Sequence, residues 1–250
     1  MTRLAKPIAI YRQIARTYLS SAPSLLFLAT LVFVPVGLLD AIPLHANVDS
    51  LNVDSSLEVA AVLGALALLT MTGLIGEVFY SGVVAVSLTH AEHGHSPSLR
   101  TIAGALAYRR LIVVDLLFGF AVAVGFALLV APGVAIFVWF GLAGPIVEIE
   151  GRGVSEALRR SLSLVRGSFW TVFWVLVPIE VAGDALSGLA TTQVHHLLGD
   201  SLLAGWAAES VSNILLTPIY AVAAVLLTLE LILVKDGAPP PPRFAPATQQ

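Results

Sequence analysis

The residues best suited to chemistry are acidic side chains inside apolar stretches of the sequence. Glu180 lies near the middle of one such stretch, and three polar residues follow it at steps of four, three and four, namely Asp184, Ser187 and Thr191. Because a helix advances by about 100° per residue, these side chains share one narrow helix face. A polar face of this kind avoids lipid, so we expect it to point into a helix bundle.

Two other apolar stretches carry comparable polar lines, one with Thr70, Gly73, Glu77 and Ser81 and the other with Asn213, Thr217 and Tyr220. No Lys or Arg lies at the depth of Glu77 and Glu180, so we expect at least one of them to hold a proton at neutral pH. The candidate intramembrane polar site therefore comprises Glu77, Glu180, Asp184, Asn213 and Thr217.

The chemistry of this candidate site has two interpretations. A protonated carboxyl pair could bind a cation, relay a proton or hold an amine headgroup. Alternatively, each Glu is neutral and forms a hydrogen bond with a partner helix. Pro178 favours such a bond locally, because it frees the carbonyl oxygen of Trp174.

Three histidines, His90, His93 and His95, crowd the end of the second apolar stretch. Imidazoles at this spacing could hold Zn²⁺. They could equally be part of a polar loop at a helix end, since a metal site needs converging geometry and not only proximity. We expect no metal and no cofactor, and these three residues are the candidate ligands if a metal binds.

Arg159, Arg160 and Arg166 form a cationic cluster beside an apolar stripe of helical periodicity. Arginines near an anionic membrane surface attract lipid phosphate, so these three are candidate contacts for anionic lipid. The alternative is that they only set the topology of the chain. We also expect Arg160 to pair with Glu150 or Glu156.

The composition excludes most soluble enzymes. The chain of 250 residues is 57% hydrophobic and only 12% charged, and it contains no cysteine. A soluble protein needs about twice that charged fraction to cover its surface. The missing cysteines exclude disulfides and thiolate sites, and no common catalytic motif is present. The sequence therefore predicts an integral membrane protein that is not an enzyme.

Six apolar stretches have roughly the length that a bilayer requires of a helix. They are Ser24–Leu44, Leu57–Leu88, Leu111–Val130, Gly133–Ile149, Phe169–Ala190 and Val211–Val234. The second is long enough to break, at Gly73 or Gly76. The fourth is short and interrupted by Gly144 and Pro145, so it either spans the membrane or re-enters. We predict an all-α bundle of six transmembrane helices.

The basic residues sort onto one side of this arrangement. All 13 Lys and Arg residues precede the first span, follow the last, or lie between spans two and three or four and five. With six spans these regions share one side, which the positive-inside rule assigns to the cytoplasm. We therefore predict a multi-pass protein of the bacterial cytoplasmic membrane with both termini in the cytoplasm.

Short amphipathic segments precede the first, third and fifth spans. Their apolar residues recur at helical spacing, as for Val154, Ala157, Leu158, Leu162 and Val165. Such helices lie in the membrane interface on the cytoplasmic side. Residues 1–236 thus form one membrane domain, with three units of interfacial helix and two-span hairpin that start near residues 7, 97 and 153. Residues 237–250 form a Pro-rich tail that we expect to be disordered.

The stretch Ala143–Trp174 resembles a widespread bacterial family of six-helix membrane proteins, which includes the membrane domain of some glycerophosphodiester phosphodiesterases and the related YciC-like proteins. The matching residues are Pro145, Glu150-Gly151, Ala157-Leu158, Arg160-Ser161, Leu164, Gly167 and Trp170. The resemblance implies a polytopic membrane module with no established activity. Phosphodiesterase chemistry belongs to a separate soluble domain of those enzymes, and we do not expect that chemistry in these 250 residues.

Two functions agree with these observations. The first is a lipid-associated or assembly module of the cytoplasmic membrane, whose partners are membrane lipids and either another protein or further copies of the chain. The second is a small transporter or channel for a proton, cation or small solute that uses the intramembrane carboxyl groups. We expect no nucleic acid partner, because the basic residues are needed at the membrane.

Overall fold

The computed structural model describes residues 7–41, 74, 76–91, 99–199 and 201–237. Within these ranges the chain is entirely helical, without strands. The helices are α1 (Pro7–Ala41), α2 (Glu77–Ala91), α3 (Leu99–Ala105), α4 (Tyr108–Leu128), α5 (Val130–Phe140), α6 (Ala143–Ile149), α7 (Val154–Val165), α8 (Phe169–Leu198) and α9 (Leu202–Asp236).

Five stretches of the described chain are long and apolar enough to cross a bilayer: Pro7–Gly37, Tyr108–Leu128, Val130–Ile149, Phe169–Val194 and Leu203–Asp236. A shorter apolar helix covers Glu77–Thr89. It corresponds to the C-terminal half of the predicted second span, whose first half lies outside the described residues. The all-helical, multi-pass architecture is therefore confirmed, while the count of six spans stays a prediction.

The helix α9 is the centre of the bundle. Its residues 220–225 are consecutive and at most 1% exposed, so this part of the helix is enclosed on every side. A helix that is apolar all round is buried against neighbours. In agreement, α9 packs along α1, α8 and α2. This position brings polar groups on α2 and α8 close to the side chains of α9.

The fourth predicted stretch is interrupted, although not where the sequence indicated. Its turn lies at Gly141 and Leu142, and Pro145 lies in the first turn of α6. Proline is tolerated there, because a first-turn backbone nitrogen needs no partner within the helix. Gly144 lets α6 approach α2 closely, since a Cβ atom on it would overlap the carbonyl oxygen of Val78.

The amphipathic helix α7 packs one face against the bundle, with Ala157, Ser161, Leu164 and Val165 buried. Leu162, which belongs to the predicted apolar stripe, is not part of this buried face and is 39% exposed. Ser161 takes the inner position instead, because its hydroxyl group donates a hydrogen bond of 2.6 Å to the carbonyl oxygen of Trp139. A satisfied hydroxyl can occupy a buried position that an apolar pattern does not reveal.

The first amphipathic segment is continuous with the span that follows it, since α1 runs without a break from Pro7 to Ala41. The other two segments are separate helices, α3 and α7. Helix α9 ends at Asp236, and Gly237 terminates it with a φ of 75°. The predicted tail from residue 238 onward lies outside the described residues. The division into three units and the interfacial position of these helices stay predictions.

Candidate functional site in the helix bundle

The start of α2 lies inside the bundle and is stabilised by a carboxylate from another helix. Gly76 adopts a φ of 95°, a conformation that favours glycine, and α2 begins at the next residue. The buried Asp115 of α4 accepts hydrogen bonds from the backbone nitrogens of Gly76 at 2.7 Å, Val78 at 3.0 Å and Phe79 at 3.2 Å. This carboxylate therefore caps the helix and satisfies donors that the surroundings would otherwise leave unpaired.

Glu77, the first residue of α2, forms a pair with Glu180 of α8. Their carboxyl groups are close enough for a side-chain hydrogen bond and for electrostatic repulsion between them. Glu77 is 7% exposed and Glu180 is half-buried. A hydrogen bond between two carboxyl groups requires a proton on at least one of them. The sequence thus identified two residues, 103 positions apart, that the fold brings into contact.

The other predicted site residues surround this pair to different degrees. Asp184 is exposed one turn beyond Glu180, yet its charge still acts on Glu77. On α9, Thr217 is buried and Asn213 is half-buried. Tyr220, which the sequence placed on the same line as these two, lies within electrostatic reach of both Glu77 and Glu180. The residues that act on one another electrostatically in this site are therefore Glu77, Glu180, Asp184 and Tyr220.

Two buried carboxylates, those of Asp115 and Glu148, were not part of the predicted site. Glu148 of α6 is 1% exposed and accepts a hydrogen bond of 2.8 Å from the backbone nitrogen of Ala107, the residue that precedes α4. Like Asp115, it stabilises the first turn of a neighbouring helix. The sequence did contain a signal for such a contact, because an acidic residue within an apolar stretch needs a polar partner.

Tyrosine hydroxyls and a tryptophan nitrogen hold the long helices together through backbone carbonyls. Tyr11 donates to the carbonyl oxygen of Trp174 at 2.6 Å, which is the carbonyl that Pro178 frees. Tyr18 donates to Leu215 at 3.2 Å, one residue after the carbonyl that Pro218 frees. Two further bonds of this kind reach α1, from Tyr80 to Leu25 at 2.7 Å and from Trp206 to Val34 at 2.9 Å.

Arg160 joins three parts of the chain through ion pairs. Its guanidinium contacts both carboxylate oxygens of Glu150, at 3.0 and 3.2 Å, and also pairs with Asp236 at the end of α9. The predicted pairing with Glu150 is confirmed. Burial by itself lowers the pKa of Arg160, but the hydrogen bonds to Asp236 and Glu150 raise it, and the resulting pKa lies above its usual value. Arg160 is therefore firmly charged and engaged within the protein.

The two other arginines of the cluster remain on the surface. Arg159 and Arg166 are both exposed. Trp170 and Trp174, in the first two turns of α8, are 67% and 57% exposed. Exposed tryptophans and cationic residues are both typical of the boundary between lipid and water.

The predicted histidine ligands cannot be placed together. His93 and His95 lie outside the described residues, as does the side chain of His90. Within the described ranges, no group of three or more His, Cys, Asp or Glu residues is arranged to hold a metal ion.

Comparison with known families matches residues 9–233 to the model described as "Domain of unknown function (DUF7847)". The chain belongs to this family. The match includes α2, α4, α8 and α9, and therefore every helix that contributes to the candidate site.

One curated relative is the UPF0259 membrane protein PC1_1998 of Pectobacterium carotovorum subsp. carotovorum (strain PC1). It is 30% identical over 119 residues, which is 45% of this chain and 48% of the relative. The chain thus spans about half the length of the relative that it matches. No solved structure matches the chain.

These matches support membership of an uncharacterised family of bacterial membrane proteins. Neither description mentions a glycerophosphodiester phosphodiesterase, so that part of the resemblance has no support from the comparisons.

Proposed function

We propose that this chain is a non-enzymatic protein of the cytoplasmic membrane that associates with anionic lipid through the surface formed by Arg159, Arg166, Trp170 and Trp174. The observation that carries the proposal is that the three arginines of the cluster differ in their contacts and exposure. Arg160 is engaged by Glu150 and Asp236, whereas Arg159 and Arg166 are exposed, as are two tryptophans at the start of the next helix, α8. Such a surface can bind a lipid phosphate while its rings lie at the headgroup level.

Native mass spectrometry of the detergent-extracted protein tests this function. Each base contributes about 1 kcal/mol near an anionic surface, so replacing both Arg159 and Arg166 with Gln weakens binding of phosphatidylglycerol by roughly thirtyfold. The matched control replaces two exposed arginines of α1, Arg12 and Arg16, and removes the same charge. Equal lipid binding by the wild type and the Arg159/Arg166 variant contradicts the proposal, as does an equal loss in both variants.

A second candidate function, a small transporter or channel for a proton, cation or small solute, is favoured by the Glu77–Glu180 pair. Buried carboxyl groups that meet between membrane helices are typical of ion and proton pathways. Flux of protons or alkali cations into proteoliposomes tests this candidate. We expect flux in the wild type and a loss of flux when Glu180 is replaced with Gln, and equal flux from the two proteins contradicts it.

A further inference from the structure

We propose that the Glu77–Glu180 pair, together with the Tyr220 hydroxyl, is an exchange site at which a small monovalent cation replaces the proton shared by the two carboxyl groups. The inference deepens the transport candidate above and rests on the same pair. It adds the class of ligand, the stoichiometry and one further oxygen ligand. Binding of this kind can be measured whether or not the ion crosses the membrane.

The first step concerns the proton. The two carboxyl groups are close enough for a hydrogen bond, and such a bond requires a proton on at least one of them. The charged groups that act on Glu77 are Glu180 and Asp184 of α8 and Asp115 of α4, and all of them are acidic. The neighbouring group from α9 is the neutral Tyr220. The described surroundings therefore favour a positive ion next to the pair, either a proton or a small cation.

The second step concerns unused oxygen atoms. Within the described part of the chain, Glu77 Oε2 and Tyr220 Oη are buried and have no hydrogen-bond partner. Tyr220 is 1% exposed, and its hydroxyl packs closely against Gly141, where a Cβ atom would lie only 2.8 Å from it. Buried polar atoms are almost always paired, so two unpaired oxygens beside a carboxyl pair require an explanation. Oxygen atoms are the ligands that hard cations prefer.

The third step concerns charge. Two carboxyl groups that share one proton carry a net charge of −1, and replacing the proton with a monovalent ion leaves that charge unchanged. The reaction releases one proton to water for each cation bound. An exchange that adds no net charge avoids the large cost of a new charge within the membrane. A divalent cation would change the charge of the site and is disfavoured for this reason.

The fourth step concerns access. Along α8, Asp184 is exposed and Glu180 is half-buried, whereas Glu77 on α2 is almost fully buried. These three carboxyl groups thus lead from the surface of α8 to the pair. Asp184 thereby adds a third acidic group within electrostatic reach of the pair.

Proton release from the purified full-length protein tests the proposal. We add NaCl or choline chloride at fixed pH in a weakly buffered solution with a pH-indicator dye, and we record the infrared carbonyl band of protonated carboxyl groups. We expect Na⁺, but not choline, to release protons in a saturable manner and to reduce this band. E77Q and E180Q should abolish the response, and E156Q, at an exposed residue of α7, should retain it.

Tyr220→Phe keeps the ring and removes only the hydroxyl oxygen, so it remains informative if the Glu variants fail to fold. We expect its half-saturating Na⁺ concentration to rise by about tenfold or more, the scale on which losing a supporting group weakens ion sites. No Na⁺-dependent proton release by the wild type, an unchanged response in E180Q, or wild-type affinity in Y220F each overturns the proposal. Proton release without flux supports this site and eliminates only the transport candidate.

Discussion

At the scale of single residues, buried carboxylates stabilise the N-terminal ends of helices that start inside the described bundle. Asp115 satisfies three backbone nitrogens at the start of α2, and Glu148 satisfies the one at Ala107 before α4. The partial positive charge at a helix N-terminus favours a negative partner, and a membrane interior offers no water to replace it. The start of α2, which positions Glu77 against Glu180, is therefore stabilised by Asp115.

Replacing Asp115 with Ala should destabilise the protein strongly. The substitution leaves three backbone N–H groups unpaired, and each buried orphan costs about 1–3 kcal/mol. Asp115→Asn keeps an acceptor oxygen and should fall between this variant and the wild type. The thermal unfolding midpoint in detergent measures the effect, with Arg159→Ala, at an exposed residue outside the site, as the control. An equal midpoint for D115A and R159A would show that the cap contributes nothing.

The sequence revealed part of this site and not the rest, for a physical reason. Glu77 and Glu180 each belong to a line of polar residues at helical spacing, so their depth and facing direction follow from periodicity. Asp115 has only apolar residues or glycine three and four positions away, and its partners are backbone groups of another helix. Backbone donors leave no trace in the amino-acid pattern, so a cap from a distant helix cannot be derived from it.

At the scale of helices, prolines create acceptors that neighbouring helices use. A proline inside a helix removes one internal hydrogen bond and frees a carbonyl oxygen. In α8 that oxygen belongs to Trp174 and accepts from Tyr11 of α1. The sequence predicted the free carbonyl and suggested a local partner, but the donor comes from the other end of the chain. Pro178 thus removes one hydrogen bond within α8 and makes its acceptor available for a hydrogen bond from α1.

A double-mutant cycle of Tyr11→Phe and Pro178→Ala tests this link. In the wild-type background, Tyr11→Phe should cost about 1 kcal/mol, the net value of a hydrogen bond. In the Pro178→Ala background the backbone of residue 178 supplies the missing donor, so the same substitution should cost less. Unfolding free energies of the four proteins give the coupling energy. A coupling of zero would mean that the two residues act independently.

Substitutions of Arg160 test whether its ion pairs stabilise the contact between α7 and the end of α9. Replacing it with Ala leaves Glu150 and Asp236 without their shared partner. Arg160→Lys has one ammonium group in place of the two guanidinium nitrogens that contact Glu150 and Asp236 separately. We expect stability to decrease in the order wild type, R160K, R160A. Arg159→Ala, at the exposed neighbour, should leave the unfolding midpoint unchanged. Equal midpoints for R159A and R160A would contradict an ordering role for the ion pairs.

At the scale of the whole molecule, the orientation in the membrane determines what each proposed surface can meet. If α7 faces the cytoplasm, Arg159 and Arg166 meet the anionic leaflet, and Asp184 lies toward the opposite side of the membrane from them. The absence of cysteine makes this orientation accessible to direct measurement, because each introduced thiol is the single reactive one.

Single-cysteine labelling of intact cells decides between the two orientations. Arg159 on α7 and Ser201 before α9 are both exposed, and α8 separates them along the chain. Because α8 is long and apolar enough to cross the bilayer, the two positions should lie on opposite sides. We expect a membrane-impermeant maleimide to label Ser201→Cys in intact cells and Arg159→Cys only after permeabilisation. The reverse pattern would invert the chain, and it would place the arginine surface away from the anionic cytoplasmic leaflet that the lipid proposal requires.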